Sequence, residues 1–361
     1  MHARARSIPI AMSNRRGGGW CYTLEDCVAR SKGGDGSSAF DAPKEDDPSG
    51  GAFMSADPFV NPDFYDWNHV FAWYCDGGSW SGDREAPVTA ATGEKLYFRG
   101  ARNTAALIRS LSSQGRGLGD ATRVLLSGGS AGGLTTILKA DEWAKALPTA
   151  QIKAMPNAGF FLPHATARGT GTSYLDEMRV AWDTHNLTAG VPGTCLEAME
   201  AQGRPAWECA FAPIAIEYVE APVLLLQGAY DQWQANEILR IGCSYAPTAK
   251  TSQRVCGAND TARLTAYAME VAGGAGSSTK LNEPGSGAWM HSCYFHDLMR
   301  ESANWVAVHS SGVAARDAVR RWFFEGVGGV TMPCFWTPGA EGVNCEPTCP
   351  APLDKTRLGG G

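Results

Sequence analysis

Five consecutive residues, Gly128-Gly129-Ser130-Ala131-Gly132, have the types and order that can present a hydroxyl for acyl transfer. They match G-x-S-x-G, with the apolar run Val124-Leu125-Leu126 before them and a helical pattern, Leu134 to Leu147, after them. A serine on a tight strand-to-helix turn is lifted out of the sheet, and the turn is too cramped for large neighbours. Ala131 then offers its backbone N–H at the start of the helix, where the helix end favours the negative charge that grows on a substrate oxygen. The same pentapeptide also fits a packing or phosphate-binding turn. A P-loop is excluded, because no Gly-Lys-Ser/Thr follows.

A serine hydroxyl needs a base, and the base needs an orienting acid. In the strand–turn–helix class the chain order is Ser, Asp or Glu, then His. Asp231 fits: it follows Leu224-Leu225-Leu226 on the short loop Gly228-Ala229-Tyr230, at the carboxyl end of a strand. An Asp so placed also reads as a helix cap or a turn residue. His291 and His296 compete as base, both in the loop-like stretch from Gly285 to Asp297, and spacing does not choose between them. His309, in a helical stretch, is a third option. His69, His164 and His185 precede Asp231 and read as surface or core residues. Gly17-Gly18-Gly19-Trp20 is the candidate for a second oxyanion donor, since glycines let backbone approach a carbonyl. It also reads as an ordinary flexible loop. The chemistry implied is acyl transfer with no metal and no cofactor.

The elements that must position these residues alternate. Val70 to Cys75, Val124 to Leu126 and Pro222 to Leu226 read as buried strands. Ala101 to Leu111, Leu134 to Leu147, Gln234 to Ile241 and Val313 to Phe324 read as helices. The expected fold is α/β-hydrolase-like, with a mostly parallel sheet covered by helices on both faces. Residues 1–352 are expected to form one catalytic domain. Gly33 to Gly51 reads as a surface loop, Pro338 to Pro352 as a segment ordered by disulfides, and residues 353–361 as a mobile tail.

The bulk numbers agree with a packed enzyme. Of 361 residues 44% are hydrophobic and 19% charged, and the formal net charge is -6. That balance predicts no nucleic-acid partner and no general attraction to acidic polymers. No apolar run is long enough for a membrane span, and a monomer is expected. The 11 cysteines show no zinc spacing. The close pairs Cys21/Cys27 and Cys195/Cys209 read as disulfides in an oxidising compartment, with buried free thiols as the alternative. The odd count leaves at least one cysteine without an intrachain partner. Two sequons, at Asn186 and Asn259, fit secretion. The first 16 residues do not: they are basic and lack a signal's apolar run. A supporting strand between them and Gly17 is not expected.

Together the motifs resemble the pectin acetylesterase and Notum family of serine carboxylesterases. The resemblance runs from Gly17-Gly18-Gly19-Trp20-Cys21 with Cys27, through Asn61 to Asn68, Tyr74 to Ser79, Leu96 to Gly100 and Leu125 to Leu134. It continues through Ala158 to Phe161, Ala229 to Gln234 and Ser292 to His296, and ends at Asn344 to Cys349. It implies Ser130 as nucleophile, Asp231 as acid and His296, not His291, as base. Oxyanion donors at Gly19, Trp20 and Ala131 are implied as well, with Cys21–Cys27 holding their loop. The plant-type members are the nearer match, which implies removal of O-acetyl groups from pectin or a related cell-wall polysaccharide by a secreted enzyme. The alternatives are a Notum-like protein fatty-acyl deacylase and a catalytically impaired binding homologue. Three departures stand out. A polar, basic stretch, Ala11 to Arg16, replaces the family's apolar strand. Ala154 and Asn157 stand where plant members carry Cys and Asp, an exchange expected to leave Cys293 unpaired. Asp297 replaces a Cys after the base. Trp20 and Trp233 are expected in the cleft and the other tryptophans in the core.

Overall fold

The computed structural model describes residues 7–13, 18–33, 35–37, 39, 52–113, 117–167, 169–244, 254–300, 302–307 and 312–335. The tail calls for 338–352 and 353–361, the motif at Asn344 to Cys349, Gly17 and His309 lie outside them.

Seven strands form one wholly parallel sheet: β1 (Ser7–Ser13), β2 (Val70–Trp73), β3 (Arg123–Gly129), β4 (Gln151–Asn157), β5 (Leu224–Gly228), β6 (Gly287–His291) and β7 (Gly329–Thr331). Their order across the sheet is β7-β6-β5-β4-β3-β1-β2. Among the helices are α1 (Leu24–Ser31), α2 (Gly100–Ser112), α3 (Ala131–Ala146), which follows β3 directly, and α4 (Tyr174–His185).

Strand alternation divides the apolar residues between two faces. Val124, Leu126, Ile152, Ala154, Val223 and Leu225 point to the face covered by α3, through Leu134, Ile137 and Leu138. Leu125, Met155, Leu224, Leu226 and Trp289 point to the other face, onto Trp305, Trp322 and Phe323. Because both faces are buried, these strands read in sequence as unbroken apolar runs.

Three expectations are corrected. A supporting strand does precede the glycine-rich loop: β1 lies between β2 and β3, in register with Leu126 and Val70 through Ile10. The segment Ser7-Ile-Pro-Ile-Ala-Met-Ser13 alternates apolar and small residues, a pattern obscured by Pro9 and the flanking arginines. The stretch Gly285 to Asp297 is not all loop, since its first half is β6, buried at every position. Cys293 is disulfide-bonded, as is Cys334, so the exchange at Ala154 does not leave Cys293 unpaired. Cys21–Cys27 and Cys195–Cys209 are formed as expected, together with Cys243–Cys256, and suit an oxidising compartment. Among the described residues no helix is long and apolar enough to cross a membrane.

In a doubly wound sheet the crevice opens where strand order reverses, beyond the carboxyl ends. Here the chain runs from β1 outward to β2, then returns to β3 on the other side of β1. The reversal therefore lies between β1 and β3. The glycine-rich loop leaves β1 there, and Ser130 leaves β3.

Candidate active site

Ser130 joins β3 to α3 with φ 60° and ψ -125°, a left-handed conformation that L-residues seldom adopt. Its carbonyl accepts from the N–H groups of Gly133 and Leu134, and its own N–H donates to the Asn157 carbonyl at 3.0 Å. The turn also needs bare backbone around it. A Cβ on Gly129 would lie 2.5 Å from an Asp297 carboxylate oxygen, and one on Gly133 would lie 2.4 Å from the Asn157 carbonyl oxygen. Ala131 is the first helical residue, so its N–H has no intrahelical acceptor.

The loop after β1 lies against this turn. A Cβ built on Gly18 would sit 3.1 Å from Ser130 Oγ and 3.4 Å from the Ala131 nitrogen. Gly19 has φ +66°, which glycine adopts without strain. Three side chains fasten the loop. Tyr74 donates its hydroxyl to the Gly19 carbonyl at 2.8 Å, and Arg30 donates to the Gly18 carbonyl at 3.0 Å. The Trp20 indole N–H donates to Ser79 Oγ at 2.8 Å, and that hydroxyl donates to the Ala131 carbonyl at 3.0 Å. Ser79 thus joins the loop to the first turn of α3. Behind the loop the Cys21–Cys27 disulfide packs on His185, whose Nε2 donates to the Cys21 carbonyl at 2.8 Å. Burial drives the His185 pKa down to about 4, with Arg30 and Arg84 adding repulsion.

Asp231 and His296 are brought together. His296 Nδ1 lies 2.8 Å from Asp231 Oδ2, and the other carboxylate oxygen accepts from the Gln234 N–H at 3.0 Å. Gln227 reaches the same carboxylate at 3.5 Å. Asp231 is 2% exposed, so its charge has little access to solvent. With Nδ1 committed to the carboxylate, Nε2 is the nitrogen left for proton transfer, and it is buried without a hydrogen-bond partner among the described residues. Ser130 Oγ makes no hydrogen bond to it. Their chain neighbours do meet: the Asp297 carboxylate packs on Gly129 and accepts from the Asn157 side chain.

His291 is placed differently. It ends β6, is 2% exposed, and stacks on Phe295 with ring centroids 4.5 Å apart. His69 binds the Phe64 carbonyl, and His164 pairs with Glu270. Trp20 and Trp233 are close to the site, in ring contact with each other and, for Trp233, with His296. Trp143, Trp289, Trp305 and Trp322 are fully buried in the core. Sequence reasoning missed Ser79, Tyr74, Arg30, Asn157 and Asp297 as supports: all but Arg30, whose partner Gly18 is 12 residues away, act through partners far along the chain.

Among the described residues Cys21, Cys27 and His185 are the group close enough to hold a metal ion, but the two sulfurs are bonded to each other. The His296 imidazole, held through Nδ1 by the Asp231 carboxylate, is suited to take up a proton at Nε2.

A family model described as Pectinacetylesterase matches residues 12–349. Among curated relatives, pectin acetylesterase 11 of Arabidopsis thaliana is 31% identical over 344 residues, covering 93% of this chain and 82% of the relative. The human palmitoleoyl-protein carboxylesterase NOTUM is 29% identical over 231 residues, covering 60% of this chain and 44% of the relative. The solved structure of the Wnt deacylase Notum from Drosophila superposes with a TM-score of 0.78 at 20% identity, covering 97% of this chain and 92% of the other. That likeness concerns the fold.

Proposed function

The chain belongs to the pectinacetylesterase family of carboxylic ester hydrolases, and from that premise we propose a serine carboxylesterase that removes O-acetyl groups from pectin or a related cell-wall polysaccharide. Ser130 is the nucleophile, His296 the base and Asp231 the acid. The observation that carries the reading is the His296–Asp231 pair, which fixes the imidazole so that Nε2 can accept a proton.

In the first step Ser130 Oγ attacks the acetyl carbonyl as its proton passes to His296 Nε2. The carbonyl electrons move onto oxygen, and that oxyanion is met by the N–H groups of Gly19, Trp20 and Ala131. His296 then protonates the departing sugar oxygen, leaving acetyl on Ser130. Water attacks this ester with His296 again as base, releasing acetate. Asp231 stabilises the transient imidazolium and holds its tautomer. The Ser130–His296 hydrogen bond is expected to close in the substrate complex, since such contacts are often loose in free enzymes.

A fluorophosphonate probe tests the reading. The wild type should be labelled on Ser130 and should release acetate from acetylated pectin, whereas Ser130→Ala should do neither. Retained acetate release by that variant would sink it. Loss of one oxyanion donor should cost about 100- to 1000-fold in kcat. The names of the animal relatives suggest a second reading, removal of a fatty acyl group from a protein, which long-chain ester turnover would favour.

A further inference from the structure

Four aromatic rings stand beside the proposed base: Trp20 from the glycine-rich loop, Phe161 after β4, Tyr174 at the start of α4, and Trp233 just after Asp231. All six pairs among them are in contact. Trp20 lies 5.1 Å from Phe161, 5.6 Å from Tyr174 and 5.6 Å from Trp233 by ring centroids. Phe161 lies 5.1 Å from Trp233 and 6.1 Å from Tyr174, and Tyr174 lies 6.4 Å from Trp233. Two of the rings also touch His296, Trp233 at 6.1 Å and Phe161 at 6.4 Å.

Resting on the esterase reading above, we infer that these four rings form a plug that limits the acyl group to a few carbons. A methylene threaded between two rings must stand about 3.5–4 Å from each, so their centres would have to be about 7–8 Å apart. No pair meets that requirement. The plug is on the acyl side because three of its members, Trp20, Phe161 and Tyr174, are buried. A polymer-borne alcohol has to leave toward solvent, which turns the acyl group inward onto the rings. Nor do the rings swing aside easily. Trp20 is held by its bond to Ser79, and Tyr174 is backed by Phe211 at 5.8 Å. Trp233, half-buried, is the least confined member.

The test is a chain-length series of 4-nitrophenyl acetate, butyrate and octanoate with the wild type, Phe161→Ala, Phe161→Leu and Trp233→Ala. The wild type should lose at least about 100-fold in kcat/KM from acetate to octanoate. Opening the plug should raise the octanoate-to-acetate ratio about tenfold or more, the order by which a pocket discriminates a methylene or two. Fluorophosphonate labelling reports whether each variant is folded and competent, and Phe161→Leu and Trp233→Ala serve if Phe161→Ala does not fold. Wild type that takes octanoate as readily as acetate overturns the plug. So does an unchanged ratio in labelled variants. A wild type that neither labels nor hydrolyses acetate instead sinks the esterase reading, and the plug falls with it.

Discussion

Asn157 ties the Ser130 turn to Asp297: its carbonyl accepts the Ser130 N–H, and its side-chain amide donates to the Asp297 carboxylate. Asp297 also accepts from the Met299 N–H and is 5% exposed, so its carboxyl group is held inside the protein next to His296 in the chain. Asp297→Ala should strand the Asn157 amide and let the turn relax. Because the proposed base and nucleophile would drift apart without any change in substrate contacts, kcat should fall about 10- to 100-fold with KM little altered, as expected for a small misplacement of reacting groups. Asp297→Asn, which keeps shape and can still hydrogen-bond, should recover most of the loss. Steady-state kinetics on 4-nitrophenyl acetate separate the two parameters.

Gly133 shows how little space the turn allows. An alanine there would set its Cβ 2.4 Å from the Asn157 carbonyl oxygen and 2.9 Å from Gly159 Cα, both backbone atoms that cannot step away. Gly133→Ala should destabilise the protein by more than about 2 kcal/mol, through overpacking and through damage to the carbonyl that receives the Ser130 N–H. Urea unfolding measures the first effect, and fluorophosphonate labelling rate the second.

Ser79 is the rivet between the loop and α3. Ser79→Ala leaves the buried Trp20 indole N–H without its acceptor and takes a donor from the Ala131 carbonyl. The expected cost is about 1–3 kcal/mol. Turnover should fall more than stability suggests, because Trp20 would lose its fixed position next to the proposed donors. Thermal unfolding and kcat are the paired readouts.

His185 couples stability to pH. Its imidazole is held neutral with a pKa of about 4, whereas the unfolded chain titrates near 6.5. Between those values the unfolded state binds more protons, so stability increases as pH rises through the window. The contribution is complete above about 6.5 and is lost as pH falls toward 4, by an amount on the order of 3 kcal/mol. Nδ1 is buried without a partner among the described residues, so a second proton there would be unsatisfied. Unfolding measured at pH 7 and pH 4.5 should show the decline, and His185→Gln should flatten it.

Legibility in the sequence followed the range of the physical signal. Val124 to Gly132 declared itself because an apolar run, a glycine turn and a helix start all lie within twenty residues. Asp231 was visible for the same reason. The proposed base was not fixed by local pattern: His291 and His296 stand five residues apart in one stretch after Asp231, and only family likeness preferred one. What separates them is tertiary, since β6 buries the first and the loop beyond carries the second to Asp231. β1 was missed because Pro9 and nearby arginines mask an alternation that the neighbouring strands complete. The helix expected over Gln234 to Ile241 is a shorter wide turn, Gln234–Ile238, whose first backbone N–H donates to Asp231 and whose side chains Gln234, Ala235 and Ile238 are buried. Asp297 and Ser79 carried no local signal, since their partners lie 140 and 52 residues away.

The parallel pairing of β1 with both its neighbours has a practical reading. The chain enters that strand at Ser7, on the amino-terminal edge, and reaches the glycine loop only after running the strand's full length, about 23 Å for seven residues. A linker grafted at Ser7 therefore joins the sheet at the edge opposite the Ser130 turn. Tethered to a bead that way, the protein would turn the carboxyl edge of its sheet, with the proposed site, away from the bead.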